Sequence, residues 1–419
     1  MSAPWGQTDS LVQRANHAMA SGQIVEAVRI WEQVLALDPD QPQALLYLGQ
    51  NALRSRNFTG ARAFLERAAV ASPNEPVVQL GLAIAAQALG DDARELAALN
   101  RALAIDPYCY PALLSKALLT ERQGKPRQAA RMFRDALTII PQDEQRLSRE
   151  IRDQIQHARE AAGRNAEAMA RFLDARLGGE PSGRIAECKD VLAGAKKVYT
   201  QQPMMLHVPG LPAISYYEHA QFPWLSGLES KSDIIRGELE GLLQTEDRNF
   251  RPYVQHPDGA PLNQWAELNR SARWSAQYLW KDGQKIAETC ARCPKTAEIM
   301  AALPLAQMAG FGPTVFFSAL EPHTRIPPHT GDTNARLIVH LPLILPGQCA
   351  FRVGNDVREW KFGEAFVFDD TIEHEAWNDS DEIRVVLIFD IWNPYLTPAE
   401  RDHVVALLSG MQGYYAAEG

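Results

Sequence analysis

Apolar residues in the first third of the chain recur at helical spacing, and prolines interrupt them at a constant interval. The prolines stand at positions 39, 73, 107 and 141, which are 34 residues apart, and each closes a similar short phrase. Bulky residues share one register position and smaller residues share another: Trp31, Leu65, Leu99 and Phe133, and Val34, Ala68, Ala102 and Ala136. A strict period of this length predicts pairs of helices that stack into a superhelix.

The period is typical of tetratricopeptide repeats, about four to five of which would fill residues 1–177. Gly22, Gly90 and Gly124 mark the turn inside a helix pair, and Glu95 breaks a register that alanine otherwise holds. The sequence of residues 144–177 predicts a degenerate fifth repeat. Residues 178–201 are predicted to be a linker with one helix over 184–201. Such a superhelix either receives a peptide or protein on its concave surface or merely positions the next domain.

From about residue 202 the pattern changes to short runs rich in β-branched and aromatic residues. Strands are predicted at 314–320, 337–345, 350–353, 357–361, 365–369 and 383–392. Helices are predicted at 231–244 and 295–303, and Thr397-Pro-Ala-Glu400 has the form of a capping box that opens a last helix. Residues 202–419 therefore predict a β-sandwich or jelly roll with flanking helices.

Composition narrows the classes of function. The chain of 419 residues is 46% hydrophobic and 22% charged, which is typical of globular proteins, and its net charge of −9 argues against a nucleic-acid partner. It has no apolar run of about 18 residues, so no membrane span is expected. The first residues lack the features of a signal peptide and the five cysteines are scattered, so a cytoplasmic location is expected. Cys290 and Cys293 are either two thiols near a helix end or a zinc or redox pair.

Two histidines and an arginine are the strongest candidates for chemistry. His374 follows His329 by 45 residues, and Arg384 comes ten residues later on an apolar run. This is the layout of a non-haem iron oxygenase, in which imidazoles hold Fe(II) and a cation binds the far carboxylate of 2-oxoglutarate. The usual carboxylate ligand would stand at Gly331, and Asp332 comes one residue too late to share a strand face with it. The residues therefore form either an unusual metal site or none.

The histidines belong to a longer ordered set of motifs. The set is Trp274-Ser-Ala-Gln-Tyr-Leu-Trp280, Phe317-Ser-Ala-Leu-Glu-Pro322, Pro328-His-Thr-Gly-Asp-Thr-Asn-Ala-Arg-Leu337, His340-Leu-Pro-Leu343, Phe368-Asp-Asp-Thr-Ile-Glu-His-Glu-Ala-Trp-Asn378, and Arg384 with Asp390-Ile-Trp-Asn-Pro394. In these motifs residues 202–419 resemble the aspartyl/asparaginyl β-hydroxylase family. The resemblance implies a double-stranded β-helix (jelly-roll) oxygenase domain whose iron is held by two histidines without a carboxylate. On this resemblance, the glycine at position 331 is expected.

The resemblance also implies roles for individual residues. His329 and His374 would bind the metal, while Arg384 and Ser318 would bind the far carboxylate of 2-oxoglutarate. His340 would lie near the chelating end of the cosubstrate.

Trp274 either lines the cosubstrate pocket or is an ordinary core residue. Asp370 either accepts a hydrogen bond from water beside the metal, in support of the catalytic site, or is a solvated loop acid.

Substrate recognition is where the chain departs from the family pattern. Arg336 matches a position that binds the carboxylate of the substrate side chain. The second substrate-binding arginine is matched by Arg270, in a register that Asn269 and Arg273 also fit. A further family arginine is Ile338 here, which leaves open how the metal-bound carboxylate is neutralised.

The implied chemistry is hydroxylation of a C–H bond with Fe(II), 2-oxoglutarate and O2, with release of succinate and carbon dioxide. The first hypothesis is a β-hydroxylase acting on an Asp/Asn-type residue of a peptide or protein that the repeats recruit. The second is a hydroxylase of a small molecule or a lipid acyl chain. The third is a non-catalytic repeat scaffold, which the intact candidate ligands disfavour.

Overall fold

The computed structural model describes residues 4–141, 143–179, 181–245, 249–308 and 310–416. The chain divides into two compact units, Met1–Lys196 and Lys197–Gly419. The division falls inside the predicted linker, 178–201. A helical unit followed by a β-rich antiparallel unit confirms the predicted fold class. Among the described residues, none of the helices is long and apolar enough to cross a membrane.

Helices build the first unit. They are α1 Pro4–Ala20, α2 Ile24–Leu37, α3 Pro42–Arg54, α4 Phe58–Ala71, α5 Pro76–Ala88, α6 Asp92–Ile105, α7 Tyr110–Arg122, α8 Pro126–Leu137, α9 Arg149–Leu177 and α10 Gly183–Ala193. Helices α1 to α8 pack as four consecutive pairs, as the period predicts. Residues 149–177 form one uninterrupted helix instead of a fifth pair. The helix predicted over 184–201 is shorter, because Gly194 takes a left-handed conformation (φ 83°) that ends it at Ala193.

Each departure from the repeat register has a physical compensation. Gly22, Gly90 and Gly124 have φ of 69°, 72° and 76°, and Arg56 adopts the same left-handed conformation (φ 57°) at the equivalent turn. Glu95, which replaces alanine, is buried, and its carboxylate accepts a hydrogen bond of 2.6 Å from Arg122 in the next repeat.

Two antiparallel sheets and five flanking helices form the described part of the second unit. The strands are β1 Tyr216–Tyr217, β2 Arg251–Pro252, β3 Trp274–Lys281, β4 Gln284–Lys285, β5 Val315–Leu320, β6 Thr324–His329, β7 Arg336–Ile344, β8 Cys349–Val353, β9 Asp356–Glu359, β10 Phe366–Phe368, β11 His374–Asn378 and β12 Arg384–Trp392. The helices are α11 Leu225–Glu229, α12 Ser232–Leu243, α13 Ala287–Arg292, α14 Pro294–Ala301 and α15 Pro398–Ala416. The major sheet has the order β1-β10-β7-β12-β5-β3-β2 with β4 beside β3, and the minor sheet has the order β6-β11-β8-β9.

Successive residues of the central strands alternate between two faces of the major sheet. One face packs on the flanking helices, and the other faces the minor sheet and carries the candidate site residues. On β12 the odd-numbered Val385, Leu387 and Phe389 pack into a core with the flanking helices. The even-numbered Val386 packs into a second core that also contains residues of the minor sheet. Because successive strand residues point to opposite faces, Arg384 shares the face of Val386.

Six predicted strands, β5, β7, β8, β9, β10 and β12, are confirmed within about two residues. The longer strands β3, β6 and β11 and the two-residue strands β1, β2 and β4 were not predicted. Pro327 and Pro328 argue against a strand, but β6 is the edge of the minor sheet, where only one side of the backbone needs partners. The capping box is also confirmed, since Thr397 Oγ1 accepts from the Glu400 backbone amide and the Glu400 side chain accepts from Thr397.

Candidate active site

The two candidate metal ligands lie side by side on neighbouring strands of the minor sheet. His329 ends β6, His374 begins β11, and the two residues are direct cross-strand partners. Their ring centroids lie 4.1 Å apart. The sheet register therefore brings together two imidazoles that are far apart in the sequence.

Hydrogen bonds fix which nitrogen of each imidazole is available. Nδ1 of His329 lies 2.8 Å from the Pro327 carbonyl oxygen, and Nδ1 of His374 lies 3.0 Å from that of Ile372. A carbonyl only accepts, so each Nδ1 carries the proton and each Nε2 keeps a lone pair. Burial lowers the pKa of His329, and burial with the neighbouring His329 lowers that of His374 well below its usual range. Both rings are thus neutral donors suited to a divalent metal.

The carboxylate of Asp370 occupies the space beside Gly331, where a side chain at position 331 would otherwise stand. A Cβ on Gly331 would lie 1.9 Å from Oδ2 of Asp370, so the glycine makes room for that carboxylate. Strand β6 ends at His329, so the strand-face argument does not govern Asp332, whose carboxylate instead lies 3.4 Å from the Arg336 guanidinium. Within the described residues, no group of three or more His, Cys, Asp or Glu side chains could hold a metal ion. A metal here would take two protein ligands.

Gly331→Ala is expected to lower the free energy of unfolding by about 1–3 kcal/mol, the usual cost of overpacking, because the new methyl group collides with Asp370. The backbone of Gly331 is not left-handed, so steric contact alone carries the effect. Denaturant unfolding of Gly331→Ala, Asp370→Gly and the double variant measures it. The double variant should lose less stability than the two single variants added together.

Gly237→Ala is the matched control, since a Cβ there meets no atom within 4 Å. It should be neutral or slightly stabilising on a helix. Strict additivity of the Gly331 and Asp370 variants would contradict the close approach of these two residues.

Arg384 is an almost fully buried cation. It is 1% exposed, and its Nε and Nη1 have no hydrogen-bond partner. Its guanidinium lies 4.6 Å from the ring centre of Trp360, and no carboxylate pairs with it in the described part of the chain. Burial lowers its pKa to about 10. A buried cation is costly unless it meets an anion, so this side chain is suited to an anionic ligand.

Ser318 and Trp274 are linked on the same face of the major sheet. Ser318 is buried on β5, opposite Val386 of β12, and its hydroxyl oxygen accepts a 3.1 Å hydrogen bond from the Trp274 indole. The hydroxyl proton remains available to a ligand. The Trp274 ring also stacks on Tyr253 with centroids 4.0 Å apart, so this tryptophan belongs to the cavity wall.

His340 is enclosed by aromatic rings. The ring centroids of Phe351, Phe366 and Phe368 lie within 5.3 Å of its imidazole, and its buried Nδ1 has no partner. Burial and the nearby Arg384 hold its pKa well below the usual range. It is therefore a neutral, unsatisfied group available to a polar ligand.

One cavity of about 480 Å³ joins most of the candidate residues. Its lining includes His329, His374, Ser318, His340, Arg384, Trp274, Asp370 and Arg336. Ile338 also lines it, in place of the family arginine. Arg270 is not among the lining residues: it is exposed, and it pairs with Asp258 at 2.8 Å.

Arg336 and Asp370 form the charged side of this cavity. Arg336 donates to Asp390 at 2.7 Å and to Asp332 at 3.4 Å, while its Nε has no partner. Asp370 is 6% exposed, and its Oδ1 has no partner. Burial raises the pKa of Asp370 to about 7, against the lowering effect of Arg336. Asp370 is therefore a buried group of the cavity wall, not a solvated loop acid.

Several residues of the site have no signal in the sequence. Tyr253 and Trp265 complete an aromatic wall around Trp274, but they lie on irregular segments without a periodic pattern. Outside the cavity lining, Gln201 donates to the buried Asp369 at 2.6 Å, and this contact, next in sequence to Asp370, joins residues far apart in the chain. Asp390 could have been found, because it shares the strand parity of Arg384.

The CxxC pair lies away from the cavity lining. Cys290 and Cys293 are buried and free, and the Cys290 thiol donates to the Leu279 carbonyl. Burial raises the pKa of Cys293 to about 12. These properties favour two packed thiols over a redox pair.

Comparison with known proteins agrees with this architecture. Residues 229–394 match the family model described as aspartyl/asparaginyl beta-hydroxylase, and residues 12–76 match a tetratricopeptide repeat model. The human protein named aspartyl/asparaginyl beta-hydroxylase is 30% identical over 217 residues, which are 49% of this chain and 26% of that protein. The ornithine lipid ester-linked acyl 2-hydroxylase of Rhizobium tropici is 35% identical over 188 residues, 44% of this chain and 62% of that enzyme.

A solved structure of MamA from Desulfovibrio magneticus RS-1 is 20% identical with a TM-score of 0.30, and the match covers 34% of this chain and 78% of that one. The chain spans between 26% and 62% of the length of the two relatives above. The resemblance found in the sequence is confirmed: the chain carries a domain of the hydroxylase family together with tetratricopeptide repeats.

Proposed function

We propose that this protein is an Fe(II)- and 2-oxoglutarate-dependent dioxygenase that hydroxylates a C–H bond. The observation that carries the proposal is Arg384, a buried guanidinium that pairs with no carboxylate of the described residues and shares one cavity with two neutral imidazoles. A dicarboxylate that chelates a metal would place one carboxylate on Arg384 and its other end on the metal held by the two imidazoles. The family domain and its hydroxylase relatives support the same reaction class.

The residues present fit such a metal and cosubstrate. His329 and His374 would hold Fe(II) through Nε2 and leave the remaining positions open. Arg384 would bind the far carboxylate of 2-oxoglutarate through paired hydrogen bonds, and Ser318 would donate one more. His340, with its unsatisfied Nδ1, would orient the chelating end. When bound, the iron and cosubstrate supply the oxidising power for C–H hydroxylation, in which O2 is reduced and 2-oxoglutarate becomes succinate and carbon dioxide.

The rest of the cavity wall positions the groups and excludes water. Trp274 fixes the Ser318 hydroxyl through its indole, and Tyr253 stacks on the outer face of Trp274. Asp370 presents its free Oδ1 as an acceptor for a donor near the histidines. A pre-formed site of this kind lowers the cost of reorganisation during reaction.

The favoured substrate is an Asp/Asn-type residue in a peptide or protein, hydroxylated at its β-carbon. The name of the human relative supports this substrate class, and the repeats provide a superhelix of the kind that receives extended peptides. A lipid acyl chain is the second candidate, because the Rhizobium relative is named for it and Phe311, Phe316 and Ile388 give the cavity apolar walls. A cytoplasmic location is proposed from the cysteine content.

Oxygen-dependent formation of succinate from 2-oxoglutarate tests the reaction class. Purified protein with Fe(II) is expected to form succinate, and more of it with substrate than without. Mass spectrometry of peptides and lipids exposed to the protein then separates the two substrate classes by a gain of one oxygen atom. Succinate at the level of protein-free controls would reject the proposed function.

A further inference from the structure

The substrate side of the cavity carries more negative than positive charge. The Arg336 guanidinium is paired with Asp390 at 2.7 Å and with Asp332 at 3.4 Å. Asp370 is a third carboxylate close enough to act on its charge. With every group ionised, one cation stands against three anions, and a protonated Asp370 still leaves an excess of one negative charge.

Other charges of the cavity do not reverse this balance. Lys281 and Asp282 are adjacent lining residues of opposite sign. The two positive charges of Fe(II) would be balanced by the two negative charges of 2-oxoglutarate, and Arg384, at the other end of β12 from Asp390, is assigned to the cosubstrate. Arg270, the second candidate for binding a substrate carboxylate, pairs with Asp258 outside the lining. The N–H groups of Arg336 that remain free therefore lie in a negative local potential.

Asp370 adds an acceptor to this surface. It is 6% exposed, its Oδ1 has no hydrogen-bond partner, and it lines the same cavity as the histidines. A buried carboxylate oxygen without a donor is costly, so a ligand that supplies an N–H there is favoured. The ionised form of Asp370 would repel a carboxylate in the same place.

We infer that the substrate is recognised through an N–H donor, a side-chain carboxamide or a cationic amine or guanidine, and that a free carboxylate is rejected. The inference rests on the proposed function and narrows its substrate class. Asp332, Asp370 and Asp390 set the selectivity, since like charge placed against the wrong ligand is an effective means of discrimination.

Positional peptide libraries test the inference. Nonapeptides with a fixed central residue and mixed flanks are incubated with protein, Fe(II), 2-oxoglutarate and O2, and the gain of one oxygen atom is measured at the central residue. Asparagine and aspartate are nearly isosteric, as are glutamine and glutamate. At least one of the asparagine, glutamine and lysine libraries is expected to give at least about tenfold more product than the aspartate and glutamate libraries. A difference of about tenfold corresponds to the free energy of one unfavourable charge contact. Leucine serves as the apolar reference.

Equal or greater product from the acidic or leucine libraries would overturn the inference, as would no product from any of them. Substrate-independent succinate formation would still report on the proposed function, so the two failures are distinguishable. Asp332→Asn should reduce the asparagine-to-aspartate product ratio by about tenfold, because it removes one negative charge beside Arg336. Asp381→Asn makes the same charge change at an exposed site outside the cavity lining and should leave the ratio unchanged.

Discussion

His374→Ala is expected to abolish Fe(II)-dependent turnover of 2-oxoglutarate. The change removes one of two protein ligands, so the loss should exceed the roughly 10–100-fold that follows from removing only the hydrogen-bond partner of a ligand. His374 is buried and pairs with His329 across the minor sheet, and no third side chain of the described residues is placed to replace it. Metal titration followed by succinate assay measures the effect.

His403→Ala is the control, because His403 is exposed on α15 and is not among the cavity-lining residues. Circular dichroism and thermal unfolding establish that both variants are folded. A folded His374→Ala protein with wild-type Fe(II) affinity would contradict the assignment of this histidine as a ligand.

Arg384→Met is expected to raise the KM for 2-oxoglutarate by about a hundredfold, since it deletes two hydrogen bonds to a charged group at about 1.5 kcal/mol or more each. In the ligand-free protein, Arg384→Met should not lower the stability, whereas an ordinary core substitution lowers it. The folded-state pKa of Arg384 is lowered to about 10, below its unfolded value. The ionised guanidinium therefore costs stability below about pH 10, and this cost declines as the pH rises from there towards the unfolded pKa.

The ligand-free Arg384→Met protein should thus unfold at the same temperature as the wild type or higher, while the stabilisation by added 2-oxoglutarate is lost. Arg384→Lys keeps a charge without the paired donors and should fall between the two. Arg251→Met, a change at an exposed arginine outside the cavity lining, should retain the wild-type response. An undiminished thermal shift with 2-oxoglutarate in Arg384→Met would refute the carboxylate assignment.

The helical repeats were predictable because each unit repeats the same local signals. Proline spacing and small residues fixed the helix pairs, and even Arg56 adopts the turn conformation of the glycines in its register. The long helix α9 was harder, since its continuity depends on the absence of a breaker and not on a repeated signal.

The histidine pair was predictable, but the strands that carry it were not. β6 contains two prolines, which the sequence alone counts against a strand, and its position at the sheet edge is a tertiary property. The charge of Arg384 inside an apolar run was, by contrast, a local signal that the structure places in the cavity.

The fit of Asp370 against Gly331 and the neutralisation of Arg336 could not be predicted. Both depend on contacts between residues far apart in sequence, Gly331 with Asp370 and Arg336 with Asp390. Matching Arg336 to a family position gave its location on the cavity wall. It did not give the two carboxylates that already pair with it.

Anaerobic absorption spectroscopy tests the central claim most directly. Protein with Fe(II) should develop a weak visible charge-transfer band on addition of 2-oxoglutarate, and the band should saturate at one cosubstrate per chain. The same protein with succinate in place of 2-oxoglutarate, and the His374→Ala variant with 2-oxoglutarate, should show none. A folded wild-type protein that gives no band at saturating Fe(II) and 2-oxoglutarate would contradict the account.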